Sequence, residues 1–228
     1  MFAANINDIN FNKKFNVLTI ENAFDKNTNN LILDEMINNE PNYIDAKISN
    51  EFDDKKTRNN LSCYYDTLYN NKRQNSALLR ELDNLFQNTR FSTLVLSMDS
   101  FPFYLFTQTN THETQVSRYG NSDNYYNYHV DTFGNFSRLI TLVYYAHKEP
   151  KKYNGGEIVF SNDLLLEPEL DSDIAQISNN DQNKLVIEPK NNMLVVFSSF
   201  KPHSVLKTSS PENFQDGRFS ANIWVGSK

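Results

Sequence analysis

The chain has 228 residues, a formal net charge of −6 at pH 7 and 39% hydrophobic residues. That length and apolar content describe a folded domain with its own core and exclude a disordered chain. The acidic balance argues against duplex nucleic acid as a partner, and the single cysteine, Cys63, excludes an intrachain disulfide and any Cys–Cys metal spacing.

The first residues, MFAANINDINFNKK, lack the apolar run of a signal peptide, and no later stretch is apolar enough to span a bilayer. The expectation is a soluble cytoplasmic or otherwise intracellular protein, with no membrane partner. FNVLTIENAF (15–24) alternates apolar and polar residues and predicts a strand. Asp25 or Asn27 then caps a helix reaching about Asn39, with Pro41 beyond its stop. Segment 45–75 is polar and charged and predicts a loop or mobile hairpin. Ser76 caps a second helix whose Leu78, Leu79, Leu82, Leu85 and Phe86 recur at helical spacing, a stripe read as core.

From about residue 102 the period changes. Short β-rich runs follow at 103–109, 113–119, 138–146, 156–160, 184–189, 193–198, 203–207 and 218–225, separated by turn residues. Many short strands without intervening helices predict a sandwich or barrel. The reading is one domain over 1–228, α+β but mainly β, with a strand-and-helix support region over 1–100 and the β core over 101–228.

The chemistry-bearing residues sit in that second part. His129-Val130-Asp131 places an imidazole and a carboxylate two residues apart, on the same face if the segment is a strand. His203 follows much later, at the start of a predicted strand after Pro202. Two histidines and one carboxylate are the facial set that holds non-heme Fe(II) and leaves positions open. His112 and His147 lie in polar turns and are expected to be exposed. Arg218 opens the last apolar strand, where a guanidinium is costly unless an anion pairs with it. A dicarboxylate co-substrate or a protein acid such as Glu157 or Glu188 would supply that anion.

The ordered stretches RYGNSDNYYNYHVD, RLITLVYYAHK, NGGEIVFSN, IEPKNNMLVVFSS, PHSV and GRFSANIWV resemble the prolyl 4-hydroxylase superfamily of Fe(II)- and 2-oxoglutarate-dependent oxygenases, over roughly residues 115–225. The resemblance implies a double-stranded β-helix (jelly-roll) core. It implies iron ligands at His129, Asp131 and His203, with Arg218 binding the distal carboxylate of 2-oxoglutarate. Tyr145 and Tyr119 would assist, Thr141 and Asn222 would line the same pocket, and Trp224 and Tyr126 would contact substrate. Gly155 and Gly156 would permit a tight bend. The implied reaction is a hydroxylation coupled to decarboxylation of 2-oxoglutarate to succinate and CO2, with ascorbate as a possible reductant. The implied substrate is a prolyl residue in a peptide or protein. A free amino acid or other small molecule, or a non-catalytic metal-binding module, are the rival readings. The net acidity would favour a peptide with Lys or Arg beside the proline. One departure is a longer connection between His203 and Arg218, containing SSPENFQDG, which is expected to shape the cleft.

Overall fold

The last strand shows how this sequence builds its fold. Along Arg218–Gly226 the residues Phe219, Ala221, Ile223 and Val225 alternate with Arg218, Ser220, Asn222 and Trp224. Successive side chains point to opposite faces of a strand, so one face of this sheet is wholly apolar and the other largely polar. The apolar face needs a cover, which the N-terminal helices provide. The polar face needs partners inside a closed β structure.

The computed structural model describes residues 2–47, 57–70, 72–120, 123–132, 137–162, 182–209 and 213–227. In chain order the elements are β1 (Ile9–Asn12), β2 (Val17–Ile20), α1 (Lys26–Asn38), β3 (Ile44–Asp45), β4 (Arg58–Asn59), β5 (Leu61–Tyr64), α2 (Tyr65–Leu68), α3 (Ala77–Phe86) and α4 (Thr89–Leu96). They continue as β6 (Thr111–Tyr119), β7 (Asn124–His129), β8 (Arg138–Ala146), β9 (Asn154–Gly155), β10 (Ile158–Ser161), β11 (Lys184–Ile187), β12 (Met193–Ser198), β13 (His203–Ser209) and β14 (Arg218–Gly226). The major sheet runs β1-β2-β12-β8-β14-β6-β5-β3. The minor sheet runs β11-β10-β13-β7-β4, with β9 also on β13. The two sheets of antiparallel strands are the jelly roll, mostly β with few helices.

Two hydrophobic cores result. Leu142, Tyr144, Leu194, Val196, Phe219, Ala221 and Ile223 pack on one side against Ile32, Met36, Leu78, Leu82 and Phe91 of the helices. Val143, Tyr145, Val195 and Phe197 pack on the other against Ile158 and Phe160 of the minor sheet. Helix starts follow their caps: Asp25 accepts from Thr28 N at 3.0 Å, Ser76 from Leu79 N at 3.1 Å and Asn88 from Phe91 N at 3.1 Å. Among the described residues no helix is long and apolar enough to cross a membrane.

Several expectations are corrected. FYLFTQT is not a strand; Phe103–Gln108 is a 3-10 helix, and Phe103 and Phe106, three apart, are its buried residues. Helix α4 was not anticipated. The segment 45–75 is no simple loop: β4, β5 and α2 lie within it, and Arg58, Asn60, Ser62, Cys63 and Tyr65 are buried. Its polarity misleads because much of what it buries is polar. Residues 48–56 and 71 lie outside the described residues. His147 is buried rather than exposed, and His112 is partly covered, 4.9 Å from the Phe86 ring and 3.3 Å from Asp83. In the long connection before Arg218, the stretch 213–217 packs away from the inter-sheet space: Phe214 lies 5.3 Å from Tyr43 and 5.5 Å from Phe219, on the helix-covered face.

Candidate metal centre and anion pocket

Strand pairing creates the centre. β13 and β7 place His203 directly opposite His129, so the two rings lie 4.2 Å apart. β7 ends at His129, and Asp131 sits in the following turn rather than on the strand. Its backbone N–H donates to Ser199 O at 3.0 Å, which ties the turn to the chain just beyond β12. Within this turn Asp131 still meets both rings: its Oδ1 is 3.7 Å from His129 Nε2 and its Oδ2 3.7 Å from His203 Nε2. One ligand atom from each of the three residues lies within 4.8 Å of the other two.

The surroundings aim these atoms. His129 Nδ1 lies 2.8 Å from Asn127 O, and His203 Nδ1 lies 2.9 Å from Lys201 O. In each case Nδ1–H donates to a carbonyl two residues earlier, so Nε2 presents its lone pair inward. Thr141 donates to Asp131 Oδ2 at 2.7 Å and lies 2.9 Å from Ser199 Oγ. Thr141 therefore touches the carboxylate, where a place in the co-substrate pocket was expected. Burial, helped by the neighbouring His203 charge, pushes His129 down to about 3. Burial would raise Asp131, but His203 and His129, with the Thr141 hydroxyl, hold it below the usual carboxylate range. A neutral imidazole at His129 and an ionised carboxylate at Asp131 are forms that bind a metal.

The pocket extends from this centre between the sheets, lined by the inward residues of β6, β8 and β14. At Arg218 it meets a guanidinium that is 1% exposed. No carboxylate pairs with Arg218 among the described residues, so the protein-acid alternative at Glu157 or Glu188 is not what the fold provides. Arg218 Nη1 reaches Ser220 Oγ at 3.4 Å, and its Nε has no hydrogen-bond partner. Its charge lies 4.6 Å from the Tyr119 ring and 4.7 Å from the Tyr145 ring. Tyr145 is fully buried, its hydroxyl has no hydrogen-bond partner, and burial pushes it up to about 12. Gly156, at φ 77°, lets Arg218 pass: a Cβ there would lie 2.7 Å from Arg218 Cδ. Gly155, also at φ 77°, would meet Lys207 O at 2.1 Å.

Asn222 and Trp224 line the same pocket, and the Trp224 indole N–H has no hydrogen-bond partner. The Tyr126 ring lies flat on His129 at 3.5 Å and 15°. Sequence reasoning missed Arg58 and Gln115, which also line the pocket. The alternation Gln115-Ser117-Tyr119 along β6 was the signal for Gln115; nothing local marked Arg58.

The sequence model of the 2OG-Fe(II) oxygenase superfamily matches residues 114–226, the stretch that supplies every residue of the His–Asp–His centre and Arg218. Residues 114–226 belong to the 2OG-Fe(II) oxygenase superfamily. An uncharacterised PKHD-type hydroxylase from Synechocystis is 34% identical over 107 residues, 46% of this chain but only 33% of that protein, so the similarity spans about a third of that relative's length. Among solved structures, a Pseudomonas putida prolyl-4-hydroxylase superposes with a TM-score of 0.62 at 18% identity, covering 93% of each chain. A Trichoplax adhaerens prolyl hydroxylase, solved with a hypoxia-inducible-factor peptide fragment, gives 0.63 at 13% identity, covering 93% of this chain and 84% of that one. The non-heme α-ketoglutarate-dependent epimerase SnoN from nogalamycin biosynthesis gives 0.56 at 10% identity, covering 94% and 80%. At such identities these likenesses establish a shared fold, and the epimerase shows that the fold hosts more than one reaction.

The superfamily's Fe(II) and 2-oxoglutarate suit what this chain presents. The His–Asp–His donor set matches Fe(II) chemistry. The buried Arg218 without a counter-anion, beside a Tyr145 hydroxyl without an acceptor, matches a carboxylate delivered from outside.

Proposed function

We propose that this chain is an Fe(II)- and 2-oxoglutarate-dependent dioxygenase that hydroxylates prolyl residues in a peptide or protein. The observation that carries the oxygenase reading is the two-ended pocket: three metal-binding groups, largely shielded from solvent, at one end and a buried guanidinium with no carboxylate partner among the described residues at the other. In this reading His129, Asp131 and His203 hold the iron through Nε2, a carboxylate oxygen and Nε2. Thr141 keeps Asp131 turned toward both rings. Arg218 grips the distal carboxylate of 2-oxoglutarate, and Tyr145 adds a hydroxyl donor. Iron with 2-oxoglutarate and dioxygen supplies the oxidising chemistry, in which the co-substrate becomes succinate and CO2. The protein's work is orientation and exclusion of water. Val143, Ile158 and Val205 line the walls and keep the pocket dry. The carboxylate at Asp131 fills a place that a halide would need, which favours hydroxylation.

The prolyl substrate is supported by the fold shared with prolyl hydroxylases, one of them seen with a peptide, and by the aromatic run Tyr125, Tyr126 and Tyr128 beside the centre. A proline-rich segment is already extended and loses little entropy on binding. An intracellular, reducing setting suits both Fe(II) and the one buried thiol, Cys63. The test is incubation with iron, ascorbate, 2-oxoglutarate and a proline-rich peptide array read by mass spectrometry. The expected result is one added oxygen per modified proline and an equal yield of succinate. Succinate formed only with a free amino acid or other small molecule would move the substrate to the rival class. No succinate under any condition would leave a non-catalytic metal-binding module.

A further inference from the structure

The pocket holds a second buried guanidinium that the reading above leaves unused. Arg58, 5% exposed, enters from β4, whose pairing sets it opposite Tyr126. Its Nε donates to Asn60 Oδ1 at 2.7 Å, and its Nη2 to Gln115 Oε1 at 2.8 Å and Ser117 Oγ at 3.1 Å. All three acceptors are neutral. Among the described residues no carboxylate pairs with Arg58, and its Nη1 makes no hydrogen bond. The guanidinium lies 4.6 Å from the Tyr126 ring, which itself stacks on His129.

A second observation lies beside it. Gln115 is 1% exposed, gives its oxygen to Arg58, and leaves its Nε2 without a hydrogen-bond partner. A buried cation with no counter-ion and a buried amide N–H with no acceptor are each costly. Both costs are relieved by one anion that contacts the two groups together. The co-substrate is not that anion, because charge is already balanced without Arg58. Iron(II) with Asp131, and 2-oxoglutarate with Arg218, leave no net charge in the site, so Arg58 remains as one uncompensated positive charge.

We propose that Arg58 and Gln115 form a subsite for a carboxylate borne by the substrate, held beside the His129 end of the pocket. This rests on the oxygenase reading above and narrows its substrate class. The carboxylate comes either from an acidic side chain next to the target residue of a peptide or from the α-carboxylate of a small amino acid. The net acidity of the chain attracts basic peptides from a distance, but that field is screened by salt. Contact with a desolvated guanidinium is a short-range requirement and decides which bound molecule is held for reaction.

The experiment compares wild type with Arg58→Gln, Arg58→Lys and Gln115→Leu. The probes are a proline peptide with Glu, Gln or Lys beside the proline, the Gln peptide ending at proline as free acid or amide, and free L-proline with L-prolinamide. Each is assayed for mass gain and for KM against kcat. Binding is measured separately by anaerobic calorimetry on the Mn(II)- and 2-oxoglutarate-loaded protein. The expected result is that a carboxylate-bearing probe shows a KM at least about ten-fold lower, and an affinity at least about ten-fold higher, than its neutral counterpart. Arg58→Gln and Gln115→Leu should shrink that ratio, Arg58→Lys should keep part of it, and 2-oxoglutarate affinity should stay as in wild type. Preference for the Glu peptide alone identifies the side-chain source, and preference for free acid or L-proline identifies the α-carboxylate. If no proline compound gains mass, succinate release with other L-amino acids against their amides reads the same subsite. An Arg58-dependent preference there retains the subsite while the prolyl reading falls. Equal response to carboxylates and neutral counterparts, or loss of 2-oxoglutarate binding in Arg58→Gln, overturns the proposal.

Discussion

The two faces of β14 do opposite work on the same nine residues. Outward, Phe219, Ala221, Ile223 and Val225 are buried against the helix layer and make apolar contact alone. Inward, Arg218, Ser220, Asn222 and Trp224 line a pocket in which Arg218 Nε and Trp224 Nε1 lack partners. The outward face is satisfied by the chain itself. The inward face is left incomplete, and its missing partners are the best guide to what binds. The lesson is that stability and binding can be separated here by counting which residue, odd or even along one strand, is changed.

The largest effect should come from breaking the centre at the inward end. His203→Ala removes one of three metal-binding groups, so turnover should fall below detection and metal should no longer co-purify. Circular dichroism should stay that of wild type, because the ring's place in a core of strands is kept by its neighbours. Retained turnover would remove His203 from the metal set.

A matched pair on β14 tests the comparison directly. Phe219→Ala should lower unfolding free energy by about 3–5 kcal/mol, the usual result of truncating a buried aromatic. The apparent requirement for 2-oxoglutarate should change little at a temperature where the variant stays folded. Arg218→Ala should do the reverse, weakening 2-oxoglutarate binding by about 2–5 kcal/mol while leaving the melting temperature unchanged or raised. Urea denaturation and 2-oxoglutarate titration read the two quantities. Equal losses in both assays for both variants would erase the division of faces.

Thr141→Val keeps the shape and removes the hydroxyl that holds Asp131. Groups that orient metal-binding residues are commonly worth about 10–100-fold in metal affinity, and competition with a chelator should show a loss in that range. No change would mean that Ser199 O, through the Asp131 backbone, orients the turn unaided.

The smallest effect concerns pH. Burial lowers the proton affinity of His112, His129 and His147 in the folded chain. As pH falls below about 6.5 the unfolded chain binds protons that the folded chain refuses, so stability is full above that pH and is lost below it. For the metal-free protein the slope should be at most about 1.4 kcal/mol per pH unit for each such group. Thermal melts from pH 7.5 to 5 should fall steadily, and His129→Gln should flatten the fall. Stability that rises toward pH 5 would show these rings to be charged in the fold.

The sequence by itself determined the β-rich second half, both capped helices α1 and α3, and the three metal-centre candidates, because each leaves a local mark. Period-two alternation marks a strand, a capping side chain before an apolar stripe marks a helix, and His-x-Asp followed by a distant His marks a donor set. The 3-10 helix at Phe103–Gln108 escaped because aromatic, β-favouring residues fill a segment that is curled by how it packs. Arg58 and the strands around it escaped for a stronger reason. A polar stretch reads as surface until tertiary structure folds it against β6 and β7, where Gln115, Ser117 and Tyr126 receive it. The same is true of Asp131's exact place. Spacing put it near His129, but only the pairing of His129 with His203, and the Ser199 carbonyl holding the turn, brought the carboxylate between two rings that lie 74 residues apart in the chain. Local sequence sets which groups are available. Burial without a partner exists only once the sheets have closed, and that is what turns such groups into a binding site.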